Sequence, residues 1–188
     1  MKNDITKEIQ ESISVQEKVL ASLVDDIERA AQLIISAYKD GKKLLIFGNG
    51  GSAADSQHMA AELIGRYKKE RKSFPALALS VDTSIITAIG NDYGFETIFT
   101  KQIEGLGNTG DIAFGISTSG GSRNVVDGIK HAKNKGLQTI GLLGCGGGEI
   151  KSLVDVAITV PSDDTPRIQE SHQVIIHVLC SLIEKELA

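Results

Sequence analysis

The chain has 188 residues, a formal net charge of −4 and two cysteines far apart in sequence, Cys145 and Cys180. This length suffices for one domain that buries roughly two-thirds of its unfolded surface, and the sequence has no basic stripe for nucleic-acid phosphates, no polybasic membrane patch and no run of about 20 apolar residues. Because the start of the chain also lacks a signal segment and the cysteines lack metal-type spacing, we expect a soluble, cytoplasmic protein with no nucleic-acid or membrane partner.

The apolar pattern changes period near Gly41. Residues 4–40 have the spacing of two amphipathic helices divided near Val24 and Asp25. Short apolar runs then predict strands at 43–47, 76–80, 111–117, 137–143 and 155–160, alternating with helices at about 52–65, 83–90, 95–105, 122–135 and 166–187. Continuous apolar runs are typical of strands covered on both faces. We therefore predict an α/β fold, a three-layer α/β/α sandwich with a five-stranded parallel sheet.

The sequence contains no linker or repeat, so residues 1–188 are expected to form one domain. Residues 41–188 are its α/β core. Residues 1–40 form a helical segment whose apolar faces need a partner surface, which favours oligomerisation. In open α/β sheets, ligands bind outside the carboxyl ends of the strands. Four loops fall there: GNGGS, STSGGS, GCGGG and PSDDTPR.

The first loop, GNGGSAADS (48–56), permits two interpretations. Gly48, Gly50 and Ala53 fit the loose dinucleotide pattern G-x-G-x-x-A, but no acidic residue ends the second strand at the expected distance of about 20 residues. The structural alternative is a tight strand-to-helix turn with Ser52 as the helix N-cap.

The loop STSGGSRN (117–124) indicates a phosphate site more strongly. It supplies four hydroxyl groups, and Gly120 and Gly121 let backbone N–H groups approach an anion at the start of the next helix. The loop lacks the lysine of a nucleoside-triphosphate loop, which favours a phosphate monoester. The alternative is a capped helix whose serines face water.

Histidine and glutamate side chains form a second pattern. His58 and Glu62 are four residues apart on the helix that follows the glycine turn, hence on one face. Because this helix begins at the glycine turn, we expect both residues to lie in its early turns, near the ligand-binding edge. They can form a solvated ion pair, bind a metal, or supply a general base in Glu62. On the last helix His177 lies among apolar residues, as either a core histidine or a functional one facing a cavity.

Two further loops are less specific. Asn91 and Asp92 in GNDYGFE (90–96) can bind sugar hydroxyls or form a plain turn. Cys145 in GCGGGE (144–149) has no evident base partner, so we interpret this segment as a flexible loop and not as a nucleophile site.

Together, GNGGSAADSQHMAAE, GNDYGFE, GISTSGGS and RIQESHQVIIH resemble the phosphoheptose isomerases of the sugar isomerase (SIS) family over nearly the whole chain. The resemblance implies an aldose–ketose isomerase that converts sedoheptulose 7-phosphate to D-glycero-D-manno-heptose 7-phosphate through an enediol. This is the first step of ADP- or GDP-heptose biosynthesis, which supplies lipopolysaccharide or other surface glycans. It also implies a homotetramer with one Zn²⁺ per subunit.

Carried over by position, the resemblance implies roles for individual residues. Zinc ligands would be His58, Glu62, Gln169 and His177, and Glu62 and His177 would also be the acid/base pair. Sugar and phosphate contacts would fall on a larger set of residues: Asn49, Gly50, Gly51, Ser52, Arg66, Asn91, Asp92, Ser117, Thr118, Ser119, Ser122 and Gln169.

The spacing of two implied ligands raises a geometric problem. Gln169 and His177 are eight residues apart, about 12 Å of rise and 80° of rotation on a straight helix. Either Gln169 precedes the regular helix, or one of the two side chains comes from a neighbouring subunit. The second option predicts an active site assembled across an interface.

Three other functions compete with this prediction. A non-catalytic phosphosugar-binding regulator, of the kind that binds the replication initiator, would keep the loops without the acid/base residues, both of which are present here. An isomerase of another sugar phosphate, such as an arabinose, hexulose or amino-sugar phosphate, is a second alternative, but the pentose enzymes of this fold usually carry regulatory domains and the amino-sugar synthase has an added amidotransferase domain. A nucleotide-dependent oxidoreductase lacks support because the acidic residue after the second strand is missing.

Overall fold

A computed structural model describes all residues from Met1 to Ala188. Five parallel strands form one sheet in the order β2-β1-β3-β4-β5, namely β1 Leu44–Gly48, β2 Ala76–Ala78, β3 Ile112–Ser117, β4 Gln138–Leu143 and β5 Val156–Thr159. Seven α-helices surround it: α1 Lys2–Ser22, α2 Val24–Lys39, α3 Gly51–Ile64, α4 Thr83–Tyr93, α5 Ile98–Leu106, α6 Arg123–Asn134 and α7 Thr165–Leu187. The predicted α/β fold with a five-stranded parallel sheet is confirmed.

The central strands are buried on both faces because successive side chains point to opposite sides of the sheet. In β1, Leu44 and Ile46 join the larger core cluster, whereas Leu45 and Phe47 join the smaller one. This explains why the sequence shows a continuous apolar run there instead of alternation.

The two faces of the sheet are covered by different helices. The larger core cluster takes side chains from α1, α2, α3 and α7, and the smaller one takes them from α5 and α6. Helix α4 lies beside α5 but buries none of its own residues. No helix combines the length and apolarity required to cross a membrane. The three layers place the first residues of α3 and α6 at the same edge of the sheet.

Candidate active site

The carboxyl ends of β1 and β3 bring two helix N-termini together. The strands are neighbours, with Gly48 paired to Ile116, and each leads directly into a helix. The side chains of Asn49 and Asn124 exchange two hydrogen bonds of 2.8 Å across the gap between the loops. Because unpaired backbone N–H groups and the helix dipole favour anions at each N-terminus, this edge is suited to a phosphate.

Residues 117–122 form what we call the anion cradle. The hydroxyls of Ser117 and Ser122 share a hydrogen bond of 3.1 Å, and the backbone N–H of Gly121 donates to Ser119 Oγ over 3.2 Å. Gly120 has φ +62°, a left-handed conformation that turns the backbone around the concave face. Ser122 occupies the N-cap position of α6 without a side-chain capping bond. The arrangement therefore favours the phosphate interpretation over the capped-helix alternative.

The loop at 144–149 packs against the anion cradle. The prediction of a flexible loop at this position is therefore wrong. A Cβ atom on Gly120 would lie 2.0 Å from the carbonyl oxygen of Gly147, and the N–H of Ile150 donates to the Gly120 carbonyl over 3.0 Å. The close approach of the two backbones needs glycine on both sides. The sequence signal was the run of three glycines, whose role depends on a contact between distant segments.

The N-cap of α3 is not Ser52, which was the structural alternative predicted for this turn. Gly50, with φ +53°, occupies the N-cap position, whereas Ser52 is buried inside the first turn and packs against Gly48. A Cβ atom on Gly51 would lie 2.3 Å from Nε2 of Gln169. Thus Gly51 leaves room for the Gln169 amide at the N-terminus of α3.

A carboxylate and two imidazoles meet farther along the same helix pair; we call His58, Glu62 and His177 the three-residue cluster. Their ligand atoms all lie within 4.8 Å of one another. Nε2 of His58 is 2.9 Å from Nε2 of His177 and 3.7 Å from Oε1 of Glu62. The partly exposed side chains leave the cluster open to solvent.

The cluster fits a zinc ion in donor type and spacing. Zn²⁺ takes imidazole nitrogen and carboxylate oxygen at about 2.0–2.2 Å in tetrahedral geometry, which separates neighbouring donors by roughly 3.3 Å. The separations of 2.9 and 3.7 Å lie on either side of that value. Three protein ligands also leave a fourth position for a substrate or a further ligand, as catalytic zinc sites require.

Within one chain, the anion cradle and the three-residue cluster lie at opposite ends of α3. Glu62 is eleven residues after Gly51, which corresponds to about 16 Å of helix rise. An extended seven-carbon chain spans roughly 10 Å from C1 to phosphorus at the bond lengths of an extended chain. The expectation that His58 and Glu62 lie in early turns near the ligand-binding edge is therefore wrong for a single subunit.

Gln169 lies at the cradle end of the molecule and not in the three-residue cluster. It is inside α7, which begins at Thr165, so the option that it precedes the regular helix is wrong. Its amide contacts Gly51, the first residue of α3. It cannot bind the same ion as His177 of its own chain over about 12 Å of helix rise.

Between these two ends, α3 and α7 share a polar contact. Gln173 donates a hydrogen bond to Oδ1 of Asp55, whose other carboxylate oxygen is buried without a partner. Burial raises the pKa of Asp55 above its usual value. His172 is fully buried, and its Nε2 donates to the carbonyl oxygen of Leu143 over 3.1 Å. His172 is thus the core histidine of α7, whereas His177 belongs to the three-residue cluster.

The remaining predicted contact residues lie on exposed surfaces. Asn91 and Asp92 belong to the last turn of α4 and not to a turn after it, and Nδ2 of Asn91 donates to Oδ1 of Asp92 over 2.7 Å. Arg66 follows α3 and pairs with Glu70, with Nε 2.9 Å from Oε1.

An open cleft of about 710 Å³ adjoins the anion cradle. Its lining includes two predicted residues, Asn49 and Ser122, and two that sequence reasoning missed, Arg123 and Asn124. Asn124 is the last residue of the motif STSGGSRN, but its bond to Asn49 depends on the pairing of β1 with β3. The sequence alone therefore gave no reason to select it.

Comparison with known proteins is consistent with this geometry. The SIS domain family model matches residues 9–144. A phosphoheptose isomerase from a Nitratiruptor species is 57% identical over 185 residues, covering 98% of this chain and 99% of that protein. The structure of a phosphoheptose isomerase from Neisseria gonorrhoeae superposes with a TM-score of 0.94 at 41% identity, covering 98% of each chain.

A phosphoheptose isomerase structure from Francisella tularensis gives a TM-score of 0.95 at 36% identity over 97% of each chain. Both the sequence relative and the two structures match this chain end to end, including the N-terminal helices. The chain belongs to the SIS-domain family and, within it, to the phosphoheptose isomerases.

Proposed function

We propose that this protein isomerises sedoheptulose 7-phosphate to D-glycero-D-manno-heptose 7-phosphate, the entry to heptose biosynthesis for surface glycans. The observation that carries the proposal is the three-residue cluster, because a protein that only holds a phosphosugar has no need for a carboxylate beside two imidazoles. The full-length relationship to phosphoheptose isomerases supports the same substrate. The two free cysteines are in keeping with a cytoplasmic location.

The anion cradle would bind the phosphate of the substrate. Its hydroxyls at Ser117, Thr118, Ser119 and Ser122 and the backbone N–H groups at the start of α6 supply donors without a lysine. Asn49, Gly50, Gly51, Ser52 and Gln169, at the adjoining N-terminus of α3, would contact the sugar chain. Arg66, Asn91 and Asp92 would complete the pocket.

Glu62 would be the general base of the isomerisation. Its carboxylate takes a proton from C1 of the open-chain ketose while the C2 carbonyl oxygen gains one, which gives the enediol. The proton then returns to C2, and loss of the O1 proton leaves the aldehyde. Carbon C1 is oxidised and C2 reduced within one molecule, so the reaction needs no external oxidant.

His177 would move protons between the substrate oxygens, because its imidazole lies in the three-residue cluster next to Glu62. His58, Glu62 and His177 would hold Zn²⁺, with Gln169 of another subunit as a further ligand. A bound zinc ion would polarise the carbonyl oxygen as a Lewis acid. The protein residues would orient C1 and C2 toward the Glu62 carboxylate.

The site would be completed by a second subunit in a homotetramer. The separation of about 16 Å along α3 prevents one subunit from presenting both halves to one substrate. Apolar surfaces for such contacts are present: Ile5, Ile9 and Ile13 form an exposed stripe on α1, and α4 buries none of its residues. Large exposed apolar surfaces mark interfaces. We infer that cradle and Gln169 of one subunit face the three-residue cluster of its neighbour.

Isotope-resolved NMR with sedoheptulose 7-phosphate tests the function directly. Purified protein should form the aldose, and Glu62→Gln should lower kcat by about 10²–10⁴-fold, the usual contribution of a general base. Glu104→Gln, at an exposed glutamate on α5, is the matched control. Phosphosugar binding without turnover by the unmodified, zinc-loaded protein would favour the non-catalytic regulator.

A further inference from the structure

A buried ion pair ties the end of α7 to the segment that follows α3. Arg71 and Glu184 have side chains only 4% and 3% exposed, and Nε of Arg71 lies 3.2 Å from Oε2 of Glu184. We call this pair the clasp. A buried pair of charges is costly unless additional hydrogen bonds satisfy both partners.

Backbone N–H groups satisfy the acidic half of the clasp. The Glu184 carboxylate accepts hydrogen bonds from three consecutive residues, Tyr67 at 3.0 Å, Lys68 at 2.8 Å and Lys69 at 2.9 Å. Burial opposes ionisation of Glu184, but these bonds and Arg71 outweigh it and hold its pKa below the usual value. The segment after α3 therefore wraps around a charged carboxylate on α7.

The basic half of the clasp caps the end of α3. The Arg71 guanidinium donates to the carbonyl oxygens of Glu62 over 2.8 Å and Leu63 over 2.9 Å. These carbonyls belong to the last turn of the helix and have no partner within it. Tyr67, whose backbone N–H donates to Glu184, has its ring centre 5.8 Å from that of His177. Arg71 thus contacts the backbone of Glu62 directly, and Glu184 reaches His177 through Tyr67.

We infer that Arg71 and Glu184 are positioning residues, which fix the last turn of α3 and the ring of Tyr67 and so hold Glu62 and His177 at the spacing that zinc binding and proton transfer require. This inference rests on the proposed function for its kinetic consequence. Its consequence for metal binding is independent of the substrate.

Two variants test the clasp. Glu184→Gln removes the charge and turns an amide N–H₂ toward backbone donors, whereas Arg71→Lys keeps the charge but replaces the planar guanidinium by a single ammonium that cannot serve several carbonyls. Glu186→Gln is the matched control, because Glu186 is on the same helix but exposed and paired only with Lys39. Zinc affinity is measured by competition with a chromophoric chelator, and kcat and KM with sedoheptulose 7-phosphate.

Both clasp variants should bind zinc about 10- to 100-fold more weakly, the usual effect of losing an outer support of a metal site. They should lose about 100-fold in kcat while KM changes little, because the anion cradle lies at the other end of α3. Trypsin should cleave faster after Lys68 and Lys69 than in the control.

Unchanged zinc affinity and kcat in folded Arg71→Lys would overturn the inference, as would faster cleavage with full activity. If Glu184→Gln fails to give a cooperative unfolding transition, Arg71→Lys decides alone. If the unmodified protein shows no turnover, the proposed function fails, and the zinc titration still decides the role of the clasp.

Discussion

Replacing Gly51 by alanine should separate ligand binding from folding at the start of α3. The new Cβ atom would lie 2.3 Å from Nε2 and 3.0 Å from Cδ of Gln169, so this amide must move by about 1 Å to reach an ordinary contact. The obstacle is the end of a flexible side chain, and Gly51 does not have a left-handed φ. Because alanine favours a helix over glycine by about 0.5–1 kcal/mol, the free energy of unfolding should change by less than about 1 kcal/mol.

The catalytic effect should be much larger than the effect on stability. In the proposed site, a displaced Gln169 amide would no longer meet the substrate or a metal held by the neighbouring subunit, and a misplacement of about 1 Å costs roughly 100-fold in kcat/KM. The assay compares urea unfolding with isomerisation of sedoheptulose 7-phosphate. Gly105→Ala, a helical site with free space around it, is the control. Full activity in Gly51→Ala, or an effect that adds to that of Gln169→Ala in the double variant, would refute the reasoning.

Three further outcomes are expected. Because burial lowers the pKa of His172 from 6.5 to about 4, the unfolded chain binds more protons between these values, and the free energy of unfolding should fall by up to about 3 kcal/mol as pH decreases through this window. His172→Gln should lack this part of the decline, and an identical pH profile would contradict the assignment. Gly120→Ala should destabilise the fold by about 2 kcal/mol or more in urea unfolding, since its Cβ would clash with the Gly147 carbonyl and φ is +62°; an unchanged midpoint would argue against the packed cradle. A strong chelator should abolish turnover in the NMR assay but leave phosphate binding to the cradle unchanged by calorimetry, and equal loss of both would place the metal in the cradle.

The sheet was predictable because its signal is local. Strand β1 shows a continuous apolar run since both of its faces are covered, and the predicted range 43–47 differs by one residue from the observed strand. Strand β2 is shorter than predicted, ending at Ala78, because it is an edge strand that pairs only with β1. Helix α4 continues to Tyr93 because Gly94, with φ +92°, ends it, whereas the polar residues before that glycine suggested an earlier end.

The site was only partly predictable, because some of its residues lie close together in sequence whereas others are brought together or kept apart only by the fold. The serine loop and the pair His58 and Glu62 are visible as local spacing, and the likeness to phosphoheptose isomerases adds His177. The separation of these halves follows from the rise of α3 combined with its start at Gly51. The clasp between Arg71 and Glu184 joins residues 113 positions apart, so no local pattern reveals it.

Mixing two inactive variants tests most directly whether one site takes its cradle from one subunit and its base from another. Ser119→Asp places a negative charge in the anion cradle, and Glu62→Gln removes the base. Dissociated and reassembled in equal amounts, the two should recover up to about a quarter of the unmodified activity, the share of sites that pair an intact cradle with an intact cluster by chance. No recovery above either variant alone, in oligomers shown to contain both chains, would contradict the shared site.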